Sequence, residues 1–362
     1  MNSTSSPTLQ YYYWLDSIRF LAAFIVVISH TAHVFQTNFE GLADNYNGPL
    51  SAIMYLILRS GAEAVLIFFV LSGFLVGGRS AEKIRNGHFN TRSYIIDRSV
   101  RILLPLIPAL LLSYIVNYLI GENYTWYDYL GNLLSLQGIF VPPVNGVLWS
   151  LSCEVWYYVF MLGVALLIVN KSKKWGGVFI LVLSLMAISN LHITGWYMWM
   201  FGALFFIIRK NIISSKATWA MIALFVIMSF YMKQTYRGLL IPSIPTPSRD
   251  VILSLYGLSA AYLLSYVIDK KPHSKPGIVL QSLGEKWSKF SYTLYLCHYP
   301  LLHVVYKYIY PVQSDQMNLC TTLTILLIAT CVTLICYPIY YLFERHTSTV
   351  KQFINSHLIH KP

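Results

Sequence analysis

Residues 14–36, WLDSIRFLAAFIVVISHTAHVFQ, decide the fold: they are long and apolar enough to cross a bilayer, yet they carry ionisable side chains within the run. Hydrocarbon offers the backbone no hydrogen-bond partner, so such a segment must satisfy its own N–H and C=O groups by forming a helix. Similar runs follow at about 61–78, 101–120, 147–169, 175–193, 195–210, 217–235, 251–268, 290–310 and 319–343. The fifth and sixth are short and fit either two spans or one bent hairpin. Of the 362 residues 56% are hydrophobic and 11% charged, and the mean hydropathy is +0.55. Soluble domains carry about a quarter charged residues. The pattern predicts an all-α polytopic membrane protein of about ten transmembrane helices, with no separate soluble domain.

Charge sets the orientation. With the N-terminus inside, alternate segments hold 21 of the 26 Lys and Arg residues, and the outer segments hold only Arg59, Lys233, Arg237, Arg249 and Lys307. Cytoplasmic loops accumulate such residues, so both ends are expected in the cytoplasm. The net charge of +12 is then a product of topology and does not point to nucleic acid. The N-terminus MNSTSSPTLQ lacks the basic residues and cleavage site of a signal peptide, so the first run reads as a permanent span. Cys153, Cys297, Cys320, Cys331 and Cys336 all fall in or beside apolar runs, and their spacing fits neither a disulfide framework nor a zinc site; no metal is expected. Outer loop 121–146, partly apolar, reads as a segment able to dip back where it lines a cavity.

Ionisable groups within spans are costly and mark candidate sites. Arg19 and His30 are eleven residues apart, which on a helix places them on one face, about 16 Å apart along the axis. Asp16 is spaced to pair with Arg19, and His33 continues the stripe outward. Snorkelling for Arg19 and an interhelical hydrogen bond for His30 are the ordinary alternatives. Arg98 and Arg101, at i, i+3, suit phosphate groups, although charge alone favours membrane anchoring and lipid headgroup contact. Glu154, about seven residues inside its span, is expected at the depth of His30, where a carboxylate could orient the imidazole; a network with Tyr157 or Tyr158 is the alternative. His298 falls mid-span before Pro300, which must bend its helix and free a carbonyl. Glu344 sits at the inner end of the last span, placed for an ion pair with Arg345 or a neighbouring helix. No Walker loop, dinucleotide fingerprint, zinc-protease motif or nucleophile elbow occurs.

In order along the chain stand the Arg19–His30 spacing, FFVLSGFL (68–75), RSVR (98–101) before LLPLIP, WSLSCEVWYY (149–158), SYTLYLCHYPL (291–301) and FERH (343–346). This ordered set resembles the acyltransferase-3 family of membrane-bound acyltransferases, over about residues 11–346. The resemblance implies one domain over 1–362, with a short cytoplasmic tail at 347–362, of the stand-alone type without an SGNH-hydrolase domain. It implies a multi-pass protein of the bacterial plasma (inner) membrane. The implied activity moves an acetyl group from cytoplasmic acetyl-CoA to a hydroxyl of a cell-surface or lipid-linked carbohydrate, such as lipopolysaccharide O-antigen, capsule or exopolysaccharide. Carried over by position, it implies roles for Arg19, His30, Arg98, Arg101 and Glu154: His30 and Glu154 are expected in catalysis and the three arginines at the donor, and we further expect Asp16, His33, Trp149 and His298 to bind substrate or support the site. The expected partners are the carbohydrate acceptor and membrane lipid. A succinyl or other acyl transferase of the same architecture is the nearest alternative, and an oligosaccharide or metabolite transporter the alternative of another class.

Overall fold

The computed structural model describes residues 12, 14–35, 56–236, 247–314 and 318–359; Arg237 and Lys361, counted in the charge split, lie outside the described residues. The elements are α1 (Leu15–Phe35), α2 (Gly61–Arg85), α3 (Thr91–Ile120), α4 (Trp126–Leu133), α5 (Leu148–Val169), α6 (Lys174–Asn190) and α7 (Ile193–Ile212). They continue as α8 (Ser215–Tyr236), α9 (Arg249–Val267), α10 (Lys275–Trp287), α11 (Ser291–Val304), α12 (Leu319–Leu342) and α13 (Thr347–Ile359). Among the described residues no strand forms, and seven helical segments are long and apolar enough to cross a membrane: α1, α2, α3, α5, α8, α9 and the run that begins with α12. α6 and α7 are shorter apolar helices, and α11 is prolonged by a π-helical turn at Val305–Ile309. The chain is an all-α polytopic membrane protein, and the fifth and sixth runs are two helices broken at Leu191–His192.

Between helices in lipid the driving force is close packing, since lipid tails are as apolar as leucine. The centre is α1, α2, α7, α9 and α11, with Ala23, Val26, Phe74, Ile252 and Leu294 fully buried. Large apolar residues such as Leu111, Ile115, Ile168, Leu327 and Leu334 are exposed on the outer helix faces, as lipid contact requires. Among the described residues, α2 and α7 approach closely through glycines. The section Gly73–Gly78 of α2 is π-helical, and a side chain at Gly73 would lie 1.9 Å from the carbonyl oxygen of Trp199. One at Gly202 would lie 2.1 Å from the carbonyl oxygen of Val70, so the two backbones touch where only glycine fits.

Helix ends depart from the hydropathy reading where polar caps, invisible to a hydrophobicity count, decide them. α3 begins ten residues before the expected 101, because the Asn90 side chain accepts from Ser93 N at 2.9 Å. Arg98 and Arg101 therefore lie inside a helix rather than at its start. The Lys-rich stretch before residue 290 contains α10, capped by Ser274. Residues 347–359, expected as a tail, form α13, whose Lys351 Nζ lies 2.9 Å from Asp97 Oδ1 of α3.

Contacts between loops reproduce the alternation read from charge. Trp14 Nε1 donates to Lys270 O at 2.8 Å, and Arg209 Nε lies 3.5 Å from Asp269, so these loops share one end of the bundle. At the other end Lys307 Nζ donates to Ile120 O at 2.8 Å, and Gln313 Nε2 to Val34 O at 2.9 Å.

Candidate active site

A cavity of about 400 Å³ opens between α1, α2, α3, α5 and α11. Its wall carries Arg19, Arg79, Arg98 and Arg101, against two carboxylates, Asp16 and Glu154. On α1, Arg19 Nη1 pairs with Asp16 Oδ1 at 3.2 Å, the spacing having placed both on one face. Arg98 and Arg101 point the same way from successive turns of α3. Arg98 Cζ lies 5.6 Å from the centre of the Tyr158 ring, and its buried Nε has no hydrogen-bond partner among the described residues. Buried donors are normally satisfied, so this nitrogen is open to an acceptor oxygen. Tyr292, whose buried hydroxyl also has no such partner, lines the same wall.

About 16 Å along α1 from Arg19 by helix rise, His30 meets His298 of α11. His30 Nδ1 lies 2.8 Å from His298 Nε2, and the rings are near coplanar and edge to edge, their centres 5.1 Å apart and their planes at 9°. His298 is fully buried, and its Nδ1 lies 3.0 Å from Leu294 O. Tyr299 meets His30 edge-on at 5.4 Å. Tyr295 connects the two regions, lining the arginine cavity while its ring lies 6.0 Å from that of His298.

The loop 121–146 packs in part against the bundle, and where it does so side-chain amides satisfy carbonyls of the loop and of the start of α5. Asn117 Nδ2 donates to Val144 O at 2.8 Å, Asn132 Nδ2 to Pro142 O at 2.8 Å, and Gln137 Nε2 to Leu148 O at 2.7 Å. Pro300 has no N–H for the Leu296 carbonyl one turn back. Asn145 Nδ2 fills that vacancy, donating to Leu296 O at 2.8 Å. The kink proline thus anchors the loop beside the histidine pair, and Gly146 lies against the Tyr299 ring.

Of the two settings expected for Glu154, the structure shows the network with Tyr158 and not the partnership with His30. Because the loop enters the bundle, α5 starts level with Leu296 rather than at the outer surface. Glu154, six residues further in and about 9 Å by helix rise, falls level with the arginines. It accepts a hydrogen bond from Tyr158, makes none to His30, and stands within electrostatic reach of Arg19 and Tyr292. Tyr158 OH also meets Ser72 Oγ at 3.2 Å.

The other expected residues are dispersed. His33 is exposed one turn beyond His30. Trp149 packs on Phe69 and on His192 (4.9 Å), behind the cavity wall and not on it. Glu344 does not pair with Arg345: its Oε2 accepts from Thr293 N at 2.9 Å and Thr293 Oγ1 at 2.6 Å, capping the first turn of α11. Arg345 stacks on Tyr341 instead. Sequence reasoning missed Arg79 and Tyr12, which line the cavity mouth with the guanidinium 4.8 Å from the ring centre. Arg79 had been visible only as one more cytoplasmic charge.

No curated protein and no solved structure matches the chain at a significant level. The profile of a family described as an acyltransferase domain matches residues 12–340, from the tyrosine at the cavity mouth to the last span. The chain therefore belongs to the acyltransferase-3 family and is a membrane acyltransferase.

Proposed function

We propose that the protein transfers an acetyl group from cytoplasmic acetyl-CoA to a hydroxyl of a cell-surface or lipid-linked carbohydrate. The acceptor class is lipopolysaccharide O-antigen, capsule or exopolysaccharide, at a bacterial plasma membrane with both ends of the chain inside. The observation that carries this reading is the arginine-lined cavity, joined through Tyr295 to a histidine pair in the same bundle. Four guanidiniums with two carboxylates suit a polyphosphate donor entering from the positively charged end. Arg98, Arg101, Arg79 and Arg19 hold the phosphates, and the pantetheine arm extends along α1 toward His30.

Acetyl-CoA supplies a thioester carbonyl with a good leaving group. His30 accepts the proton of the acceptor hydroxyl as its oxygen bonds to that carbonyl carbon. The C–S bond then breaks, and the departing thiolate takes the proton back from the imidazolium. The products are an O-acetyl ester and the CoA thiol.

Replacement of His30 by Ala is expected to abolish surface-sugar acetylation, read by mass spectrometry of polysaccharide from cells expressing each form, with the protein still present in the membrane. Acetylation near the wild-type level would refute the assignment. A mass increment of succinyl in place of acetyl would replace the donor while keeping the site.

A further inference from the structure

We propose that His298 is the positioning residue that fixes the tautomer of His30 and thereby selects its Nε2 as the base; this rests on the acyl-transfer reading above. His298 Nδ1 lies 3.0 Å from Leu294 O, and a carbonyl only accepts, so the hydrogen sits on Nδ1. The neutral ring then presents Nε2 as a lone pair. That lone pair lies 2.8 Å from His30 Nδ1, so the hydrogen between the rings belongs to His30 Nδ1. With its hydrogen held there, His30 carries its basic lone pair on Nε2.

The relay is anchored at each step. Leu294 and His298 are one turn apart on α11, and the turn just beyond is held by Asn145 on the carbonyl that Pro300 leaves open. The in-plane hydrogen bond holds the two rings coplanar, 9° apart, which restricts rotation of His30, and Tyr299 meets its ring edge-on. When His30 takes a proton at Nε2, its Nδ1–H becomes a charge-assisted donor to His298, a bond that strengthens as the transition state is approached. His298 touches no reacting atom in this scheme and gains no net proton.

Three substitutions separate positioning from packing. A glutamine amide reaches the place of the ring Nε2 and accepts from His30, whereas an asparagine amide reaches only the place of Nδ1 and satisfies Leu294. The assay uses membranes carrying the full chain, radiolabelled acetyl-CoA, and unacetylated surface polysaccharide from cells lacking the gene. His298→Gln is expected to keep kcat within about tenfold of wild type, and His298→Asn and His298→Leu to lose about a hundredfold or more. The KM for acetyl-CoA should stay within about threefold in all, because the arginine cavity is untouched. Adding His298→Leu to His30→Ala should cause no further loss.

Rescue by Asn but not Gln would overturn the proposal in favour of a role confined to the hydrogen bond with the Leu294 carbonyl. A His298→Leu protein with near wild-type kcat would overturn it outright. If the leucine variant fails to fold, the comparison of the two amides decides. Should His30→Ala remain active, the acyl-transfer reading of His30 fails with it; should His30→Ala be dead and His298→Leu active, only the positioning role fails.

Discussion

At the scale of single residues, Glu154 shows how a side chain's chemistry follows its depth. A carboxylate beside four guanidiniums relieves their mutual repulsion and competes with an incoming anion for them. Glu154→Gln keeps an acceptor for Tyr158 but removes the charge, so its effect belongs in the KM for acetyl-CoA, expected to change severalfold, with kcat little altered. Arg98→Ala removes a charged hydrogen-bond donor and should raise that KM by about 10- to 100-fold, corresponding to about 1.5–3 kcal/mol for a charge-assisted bond. Initial rates over a series of donor concentrations check both. A loss confined to kcat in the glutamate variant would return Glu154 to the side of the base. The common face of Asp16, Arg19 and His30 was legible in the sequence, because helical spacing alone determines it. The His30–His298 contact was not: 268 positions separate the two, and no local spacing encodes their meeting.

At the scale of elements, the approach of α2 to α7 depends on the absence of side chains. A Cβ at Gly202 would meet a backbone oxygen at 2.1 Å, and a backbone cannot step aside as a flexible side chain can. Gly202→Val should therefore lower the midpoint of thermal unfolding in detergent and the yield of monodisperse protein, by an overpacking penalty of about 1–3 kcal/mol or more. Gly176, with nothing within 4 Å of its would-be Cβ, is the control and should accept Val with little change. The spans were readable from apolar run length. Their ends were not, since Asn90 and Ser274 cap by single hydrogen bonds that leave hydropathy unaltered. The depth of α5 was hidden for a related reason: an entering loop pushes a helix start inward without changing its composition.

At the scale of the whole molecule, the bundle has two dissimilar ends, one holding Arg79, Arg209, Lys270 and Lys351, the other Lys307 and the loop 121–146. From the charge bias we expect the first in the cytoplasm. Single cysteines at Lys270 and at Asn123, introduced after the native ones are replaced, test this. A membrane-impermeant maleimide on intact cells should label the Asn123 position alone, and the Lys270 position only after permeabilisation. The reverse pattern would place the arginine cavity outside and remove cytosolic acetyl-CoA as donor. Alternation of charge made the sorting of loops to two ends legible, whereas the cavity was not, because its wall is assembled from five helices distant in sequence.

The hydrogen bond from Asn145 to the carbonyl released by Pro300 also bears on how the chain tolerates change over generations. Any other residue at 300 would bring back an N–H that competes for Leu296 O, and any apolar residue at 145 would strand that oxygen in a dry interior. Each single exchange passes through a less fit intermediate, while the double exchange does not. In an alignment of related chains these two positions, 155 apart, should therefore vary as a pair or not at all, and drift at one should predict drift at the other.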